Sequence, residues 1–189
     1  MIIRRFLTAA AAALMLTESA LALSCVQPDL ARTMEAAKAS DDLYYIFVGT
    51  FETPPQPKQD NSLDALASVK PRADRFVPAR FDGVGLSQIP QYDSQLSAMP
   101  MEIKLTCAGP WCAAVPAAGK PVIAFVKARQ GQTPLLEIGP CPNYVFPLAA
   151  APTAPSQAGP YREPKQLTRL RQCFDKSCKP KDNVHGDYY

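Results

Sequence analysis

Histidine is almost absent from this sequence, and its scarcity limits the chemistry that the chain can perform. His185 is the only histidine, and it lies in the polar C-terminal tail. A Ser–His or Cys–His catalytic unit needs an ordered histidine beside a nucleophile, whereas chain ends are usually mobile. We therefore predict that the protein is not an enzyme and uses no cofactor. Chemistry by a pair of carboxylates remains the open alternative.

Strong charge and long apolar segments are also lacking. The net charge is only +3, and the charged residues alternate in sign or are diluted along the chain. A field this weak predicts no nucleic-acid partner and no anionic membrane surface. The apolar run at 6–16 is too short to span a bilayer, so the sequence predicts no transmembrane segment.

The closely spaced cysteine pairs of metal and redox sites are missing too. Cys107 and Cys112 are separated by four residues, and so are Cys173 and Cys178. Structural zinc sites and thiol oxidoreductases usually carry two cysteines separated by two residues. This spacing favours disulfides over a zinc site, and we predict no metal ligand.

The first residues have the pattern of a signal peptide at 1–22. Arg4 and Arg5 precede an apolar stretch, and Ala20-Leu21-Ala22 has the small residues of a cleavage site. This pattern predicts a soluble periplasmic or secreted protein. A lipoprotein cut before Cys25 is the alternative, although residues 22–24 match the usual lipid-attachment box poorly. In an oxidising compartment the even number of cysteines implies up to three disulfides.

The remaining pattern is mainly β. The chain has 20 prolines, about double the usual share, which favours strands and loops over long helices. Alternating or continuous apolar residues predict five strands, at 43–48, 75–81, 101–106, 121–126 and 133–139. Pro78 marks the second strand as an edge or a bulge, and the apolar strand at 121–126 is expected to be central.

Two short helices and several irregular segments complete the prediction. Apolar stripes indicate one helix from Pro28 to about Ala39 and a second within the C-terminal segment 165–178. The segments without periodicity are an exposed loop at 53–73, an irregular stretch at 86–100, an Ala/Pro-rich linker at 148–164 and a mobile tail at 179–189.

The order of these elements resembles the netrin-like domain, the family that includes the tissue inhibitors of metalloproteinases. The residues that carry the resemblance are Ser24-Cys25-Val26-Gln27-Pro28, Phe47-Val48-Gly49, Cys107 before the hairpin, the segment 119–126 and the segment 138–141. The resemblance covers the predicted domain, 23–147, from Cys25 onwards. It implies a five-stranded, partly open barrel of the OB type, with a short N-terminal helix and a C-terminal helix.

The resemblance also implies a set of disulfides. It pairs Cys25 with Cys141, a long-range bridge that would stabilise the fold by about 4–5 kcal/mol. Local bridges between Cys107 and Cys112 and between Cys173 and Cys178 would follow. The alternative links the loop bearing Cys107 and Cys112 to the C-terminal cysteine pair.

Two functions from different classes follow from these predictions. The first is a disulfide-stabilised binding module, expected to be monomeric, for a protein or envelope component. Its candidate contacts are the barrel face, the loop at 53–73 and Trp111, although a tryptophan lying over the barrel end is the more ordinary arrangement. The second is a metalloprotease inhibitor acting through its N-terminal segment. Inhibitors of this family chelate zinc through a mature N-terminal cysteine, whereas Leu23 and Ser24 would precede Cys25 here.

Overall fold

The fold is mainly β, as the sequence predicts. The structure is a computed structural model that describes Cys25 and residues 28–56, 73–109, 111–148 and 163–176. The predicted signal peptide 1–22, most of the loop at 53–73, most of the linker 148–164 and the tail 179–189 with His185 lie outside these residues. The described helices are α1 (Leu30–Ala39) and α2 (Lys165–Gln172). The described strands are β1 (Tyr44–Glu52), β2 (Arg75–Gly85), β3 (Ser94–Leu105), β4 (Cys107–Ala108), β5 (Trp111–Cys112), β6 (Val122–Lys127), β7 (Leu135–Ile138) and β8 (Val145–Pro147).

Five of these strands form a closed barrel of the OB type. The order around the barrel is β1, β2, β3, β7 and β6, and antiparallel pairing between β6 and β1 completes the ring. Only β3 and β7 run parallel among these neighbours. The family resemblance implies a partly open barrel, but here the narrowest seam, between β6 and β7, is still joined at Lys127 and Leu135. Strand β8, which the sequence did not predict, pairs antiparallel with the first half of β6.

Strand β6 lies between the barrel interior and a layer of helices. Val122, Ala124 and Val126 point into the barrel core, whereas Ile123 and Phe125 belong to a second core beneath α1 and α2. This double burial explains why the strand is apolar on both faces, and it confirms the predicted central position. The fold therefore has two cores, which share the strands β1 and β6.

Helix α1 forms where its apolar stripe predicts it. Leu30, Met34 and Ala37 are buried in the second core. The helix begins two residues later than expected because Asp29 is the N-cap: its carboxylate accepts a hydrogen bond from the Arg32 amide at 2.7 Å. A capping carboxylate satisfies a backbone donor that has no partner within the helix, so Pro28 precedes the helix.

Helix α2 is fixed to the barrel by apolar contacts and by one partly buried arginine. Leu167 and Leu170 are fully buried, as their spacing predicts. Arg171 donates to Asp93 at 2.6 Å and to Glu163 at 2.7 Å, and it also contacts the Ser87 carbonyl. Arg171 thus connects the helix to the loop between β2 and β3.

Replacement of Arg171 by methionine is expected to destabilise the protein by about 2–3 kcal/mol. Methionine retains most of the apolar stem but leaves two carboxylates without their cation. Breaking a buried ion pair is costly because the remaining charge is uncompensated. The side chains of Arg171 and Asp93 keep 10% and 16% of their exposure, which lowers the cost somewhat. Urea unfolding at pH 7 measures the loss.

The same variant also changes the pH dependence of stability. Burial alone would raise the pKa of Asp93, but the hydrogen bonds from Arg171 and the Ser87 amide outweigh it and hold the pKa below 3.8. In the wild type, this stabilisation is present above pH 3.8 and is lost as the pH falls through the depressed pKa. The variant should lack the part of that loss that comes from Arg171, while the part from the Ser87 amide remains. The control Lys165→Met, at an exposed position on α2, should change stability by less than about 0.5 kcal/mol.

The prediction of an irregular stretch at 86–100 is wrong from Ser94 onwards. Strand β3 begins there and pairs with β2 along its whole length. Two features disguise it in the sequence. Ala98 has a positive φ of 45° within a register shift opposite Asp82, whose carboxylate accepts from the Ala98 amide at 2.8 Å. Pro100 is tolerated because pairing with β7 starts only at Glu102.

The interpretation of Pro78 is confirmed. Strand β1 pairs with β2 only as far as Glu52, which lies opposite Arg80. No described residue pairs with the preceding part of β2 on that side, so 75–79 is an edge. A proline there costs no ladder hydrogen bond.

The structure contains two disulfides among the described residues, in the pairs that the resemblance implies. Cys25 is bonded to Cys141 with their Cα atoms 5.3 Å apart, and Cys107 is bonded to Cys112 across the β4–β5 hairpin. Because Cys107 and Cys112 bond to each other, they do not link to the C-terminal pair. Cys173 is also disulfide-bonded, and its predicted partner, Cys178, lies outside the described residues.

Candidate functional site

A depression lies where β1 ends beside β2 and β3, and we call it the β1-end groove. It has a volume of about 580 Å³. Its lining residues come from the end of β1, from the middle of β2 and β3, and from the β6–β7 loop: Glu52, Thr53, Pro54, Pro78, Ala79, Arg80, Pro100, Met101, Glu102 and Thr133. In OB folds, the face of the second and third strands and the two neighbouring loops bind oligonucleotides and oligosaccharides. The groove occupies the corresponding position.

The groove exists because two adjacent strands end at different levels. Strand β1 stops at Glu52, and Pro54 in the departing chain cannot donate a ladder hydrogen bond. Strand β2 continues past this point as the edge at 75–79. Beyond Glu52, no described residue occupies the position that a longer β1 would have filled, and we call this position the slot. The departing chain beside it forms one wall of the groove, which lies over β2 and β3.

One wall of the groove is held by a single arginine. Arg129 forms an ion pair with Glu102 at 2.8 Å, and its Nε donates to the Thr133 carbonyl at 2.8 Å. These contacts fix the β6–β7 loop against β3. The carboxylate of Glu102 is already neutralised, so it is poorly suited to act alone on a ligand.

Arg80 differs from the charged residues around it. It is exposed on β2, and it forms no ion pair with any described residue, including Glu52 on the neighbouring strand. Its guanidinium offers five donors in a planar fork that suits carboxylates and phosphates. Arg80 is therefore a cation of the groove that is available to a ligand, beside the exposed carboxylate of Glu52.

The charged side chains on the outer face next to the groove form ion pairs with one another. Glu137 on β7 lies 3.3 Å from Lys104 and 3.2 Å from Lys127, while Asp42 lies 2.8 Å from Lys127. The hydrogen bond to Asp42 raises the pKa of Lys127 against the opposing effect of burial, and Glu137 raises the pKa of Lys104. This network connects the outer faces of β3, β6 and β7.

Trp111 does not belong to the groove. It lies on the short β5 strand opposite Ala108 with 45% of its surface exposed, which places it on the surface at the cysteine hairpin. Of the predicted contact loop at 53–73, the described residues Thr53 and Pro54 line the groove. The remaining sequence-predicted contacts of that loop fall on residues 57–72, outside the described part.

Neither metal ligands nor a spanning helix is found in the described part of the chain. Within the ranges given above, no three histidine, cysteine, aspartate or glutamate side chains come together as a metal site would require. In the same residues, no helix has the length and apolar character needed to cross a membrane.

Sequence reasoning missed Arg80, Arg129 and Glu102 as members of one site. Nothing in the spacing of these residues brings them together, since they lie on β2, after β6 and on β3. Pro78 was the one available signal, because an edge proline in the second strand indicates that its neighbour ends early. Comparison of the chain with protein-family models, curated proteins and solved structures finds no match.

Proposed function

We propose that this protein is an exported, disulfide-stabilised binding module without enzymatic activity, and that its ligand occupies the β1-end groove. The observation that carries the proposal is the groove itself, at the ligand-binding position of the OB fold, with an arginine at its edge that forms no ion pair with any described residue. The signal-peptide pattern at 1–22 and the disulfides support a periplasmic or secreted location.

The composition of the groove supports binding and not catalysis. Three prolines, Pro54, Pro78 and Pro100, line the groove and rigidify it, while the side chains of Ala79 and Met101 beneath it belong to the barrel core. A general acid or base would require a carboxyl or imidazole with an available proton site. Glu102 is held by Arg129, so the described lining offers one carboxylate without an ion pair, Glu52, and not the pair that acid–base chemistry by two carboxylates would use. Apolar contacts and one cation are typical of a recognition surface.

Photo-crosslinking in the native compartment tests this proposal. A photoreactive amino acid in place of Thr133 would be combined with either wild-type Arg80 or Arg80→Glu. We expect an adduct of defined mass whose yield falls about tenfold when the charge at Arg80 is reversed, because an interface charge repels the wrong sign.

The matched control is Lys165→Glu, a charge reversal at an exposed position on α2 outside the groove. This variant should leave the adduct unchanged. Absence of an adduct from position 133, or an adduct equally weakened by both charge reversals, would reject the groove as the binding site.

The alternative function is inhibition of a metalloprotease through the N-terminal segment. The observation that favours it is the position of Cys25, which is exposed and bridged to Cys141 beside α1. Zinc chelation requires a free α-amino group on this cysteine. Protein beginning at Cys25 should inhibit members of a metalloprotease panel, and protein beginning at Leu23 should not. Equal behaviour of the two forms would exclude the chelation mechanism.

A further inference from the structure

The backbone of the β2 edge carries hydrogen-bonding groups that no described residue satisfies. The hydrogen bonds of β3 show in which direction these backbone groups point. The Glu102 amide donates to the Pro134 carbonyl at 3.0 Å and the Thr106 amide donates to the Ile138 carbonyl at 2.9 Å, so both residues direct their backbone groups toward β7. Backbone groups alternate in direction along a strand. Ile103 and its alternate neighbours therefore bond toward β2.

The residue pairs between β2 and β3 show which β2 residues direct their backbone groups toward β3. Val77 lies opposite Ile103, and Ala79 lies opposite Met101, so these β2 residues bond to β3. The intervening residues of β2 direct their backbone groups to the other side. Arg80 meets Glu52 of β1 there, but β1 reaches no further. Phe76 thus presents an amide and a carbonyl to the slot, and Pro78 presents a carbonyl alone.

These groups point to a specific kind of ligand. We propose that the β2 edge at 75–79, which adjoins the β1-end groove at Pro78, takes an extended peptide segment of a partner protein, which adds to β2 as a short strand in place of the missing end of β1. Addition of an extended peptide to an exposed sheet edge is a general recognition mode, with backbone hydrogen bonds giving affinity. This inference rests on the proposed function, because the peptide would lie beside the same groove and contact its lining at Pro78.

Pro78 limits the added strand to a short one. Because proline has no amide hydrogen, the edge offers one donor, from Phe76, and two acceptors, from Phe76 and Pro78. The peptide must supply two amide hydrogens from residues two apart, since Phe76 and Pro78 are two apart on β2. This requirement holds for a parallel and for an antiparallel peptide. The side chain of Phe76, which is 56% exposed, provides an apolar contact beside these bonds.

The test uses a library of random linear peptides displayed against the full oxidised chain after signal-peptide removal. We expect enrichment of peptides that bind the wild type, and each backbone amide of an enriched peptide is then N-methylated in turn. Loss of one hydrogen bond should weaken binding about tenfold. Two positions separated by one tolerant position should show this loss, and binding should slow hydrogen exchange at the Phe76 amide.

Two variants test the contribution of the Phe76 amide to peptide binding. Phe76→Pro removes the only donor of the edge and should weaken binding about tenfold, whereas Phe76→Leu keeps the amide and should bind within about threefold of the wild type. The N-methyl pattern does not depend on the folding of either variant. Failure to enrich any peptide, or N-methyl effects without the two-residue spacing, would overturn the inference. So would a dimer formed through the same edge, seen by sedimentation.

The outcomes also separate this inference from the proposed function. An Arg80-dependent crosslink to a glycan or another non-peptide component would leave the binding module in place and remove the peptide. Absence of both the crosslink and the peptide binding would remove both.

Discussion

Removal of the Cys25–Cys141 disulfide is expected to cost about 4–5 kcal/mol of folding free energy. The bridge spans a sequence separation of 116 residues. In the chain-entropy description, a bridge restricts the unfolded chain, and the restriction grows with the length of the closed loop. The double replacement Cys25→Ser and Cys141→Ser removes the bridge without leaving a free thiol. Urea unfolding of the oxidised protein at pH 7 measures the effect.

The second disulfide provides a matched control. Cys107 and Cys112 have a sequence separation of only 5 residues, and the same description gives about 2 kcal/mol for such a loop. The double serine variant of this pair should therefore be distinctly more stable than the first. Equal losses would contradict an origin in the unfolded state and would indicate local contacts of the cysteines as the cause.

Loss of the long-range bridge should leave α1 docked on the barrel. The buried Thr33 hydroxyl still donates to the Asn143 carbonyl at 2.7 Å, and the apolar face of the helix remains in the second core. We expect the helical signal in circular dichroism to persist in the folded variant. The segment that precedes the helix, with Cys25, would lose its attachment to the residues after β7.

Substitution of Gly49 by alanine is expected to destabilise the protein by more than about 3 kcal/mol. Gly49 of β1 and Gly83 of β2 face each other where the two strands approach closely. A Cβ atom on Gly49 would lie 2.0 Å from the Asp82 carbonyl oxygen and 2.8 Å from the Gly83 Cα. Both are backbone atoms, which cannot move aside without separating the strands. Overpacking of this kind lies at the upper end of the range for buried sites.

Gly85 is the matched control, because it lies on the same strand pair with room for a methyl group. Its added Cβ would meet its nearest neighbours, the side chains of Phe47, Ser94 and Leu96, at 3.6 Å or more, which is ordinary contact. Gly85→Ala should change the free energy of unfolding by less than about 1 kcal/mol. Equal free energies of unfolding for the two variants would contradict a close approach of β1 and β2 at Gly49.

This close approach also bears on the candidate site. Gly49 and Gly83 are paired three residues before Glu52, the residue at which β1 leaves the sheet. The clash between the added methyl group of the Gly49→Ala variant and the backbone of β2 would shift the end of β1 relative to β2. This shift would alter the groove. We therefore expect this variant to lose groove binding together with stability, whereas Arg80→Glu should lose binding alone.

Local patterns in the sequence determined the elements themselves. The alternation of Met101, Ile103 and Leu105 indicated a strand with one buried face, and all three side chains are buried in the barrel. The spacing of Leu167 and Leu170 indicated the buried face of α2. Such predictions succeed because the period of a strand or helix directly reflects which side chains leave water.

The first part of β3 and the groove could not be predicted in this way. Ala98 and Pro100 interrupt the strand pattern, and they are compatible with a strand only because a bulge opposes Asp82 and because β7 begins at Glu102. These conditions depend on neighbouring strands and not on the local sequence.

By itself, the sequence determined the mainly β class, the two amphipathic helices and the edge character of Pro78. The tertiary structure alone decided where β1 stops relative to β2, and hence that Arg80, Arg129 and Glu102 lie around one groove. The physical reason is that periodicity records the burial of each residue, whereas a groove depends on the relative ends of strands that are distant in the chain. The backbone groups of Phe76 that no described residue pairs with are a property of that arrangement, which no side-chain pattern encodes.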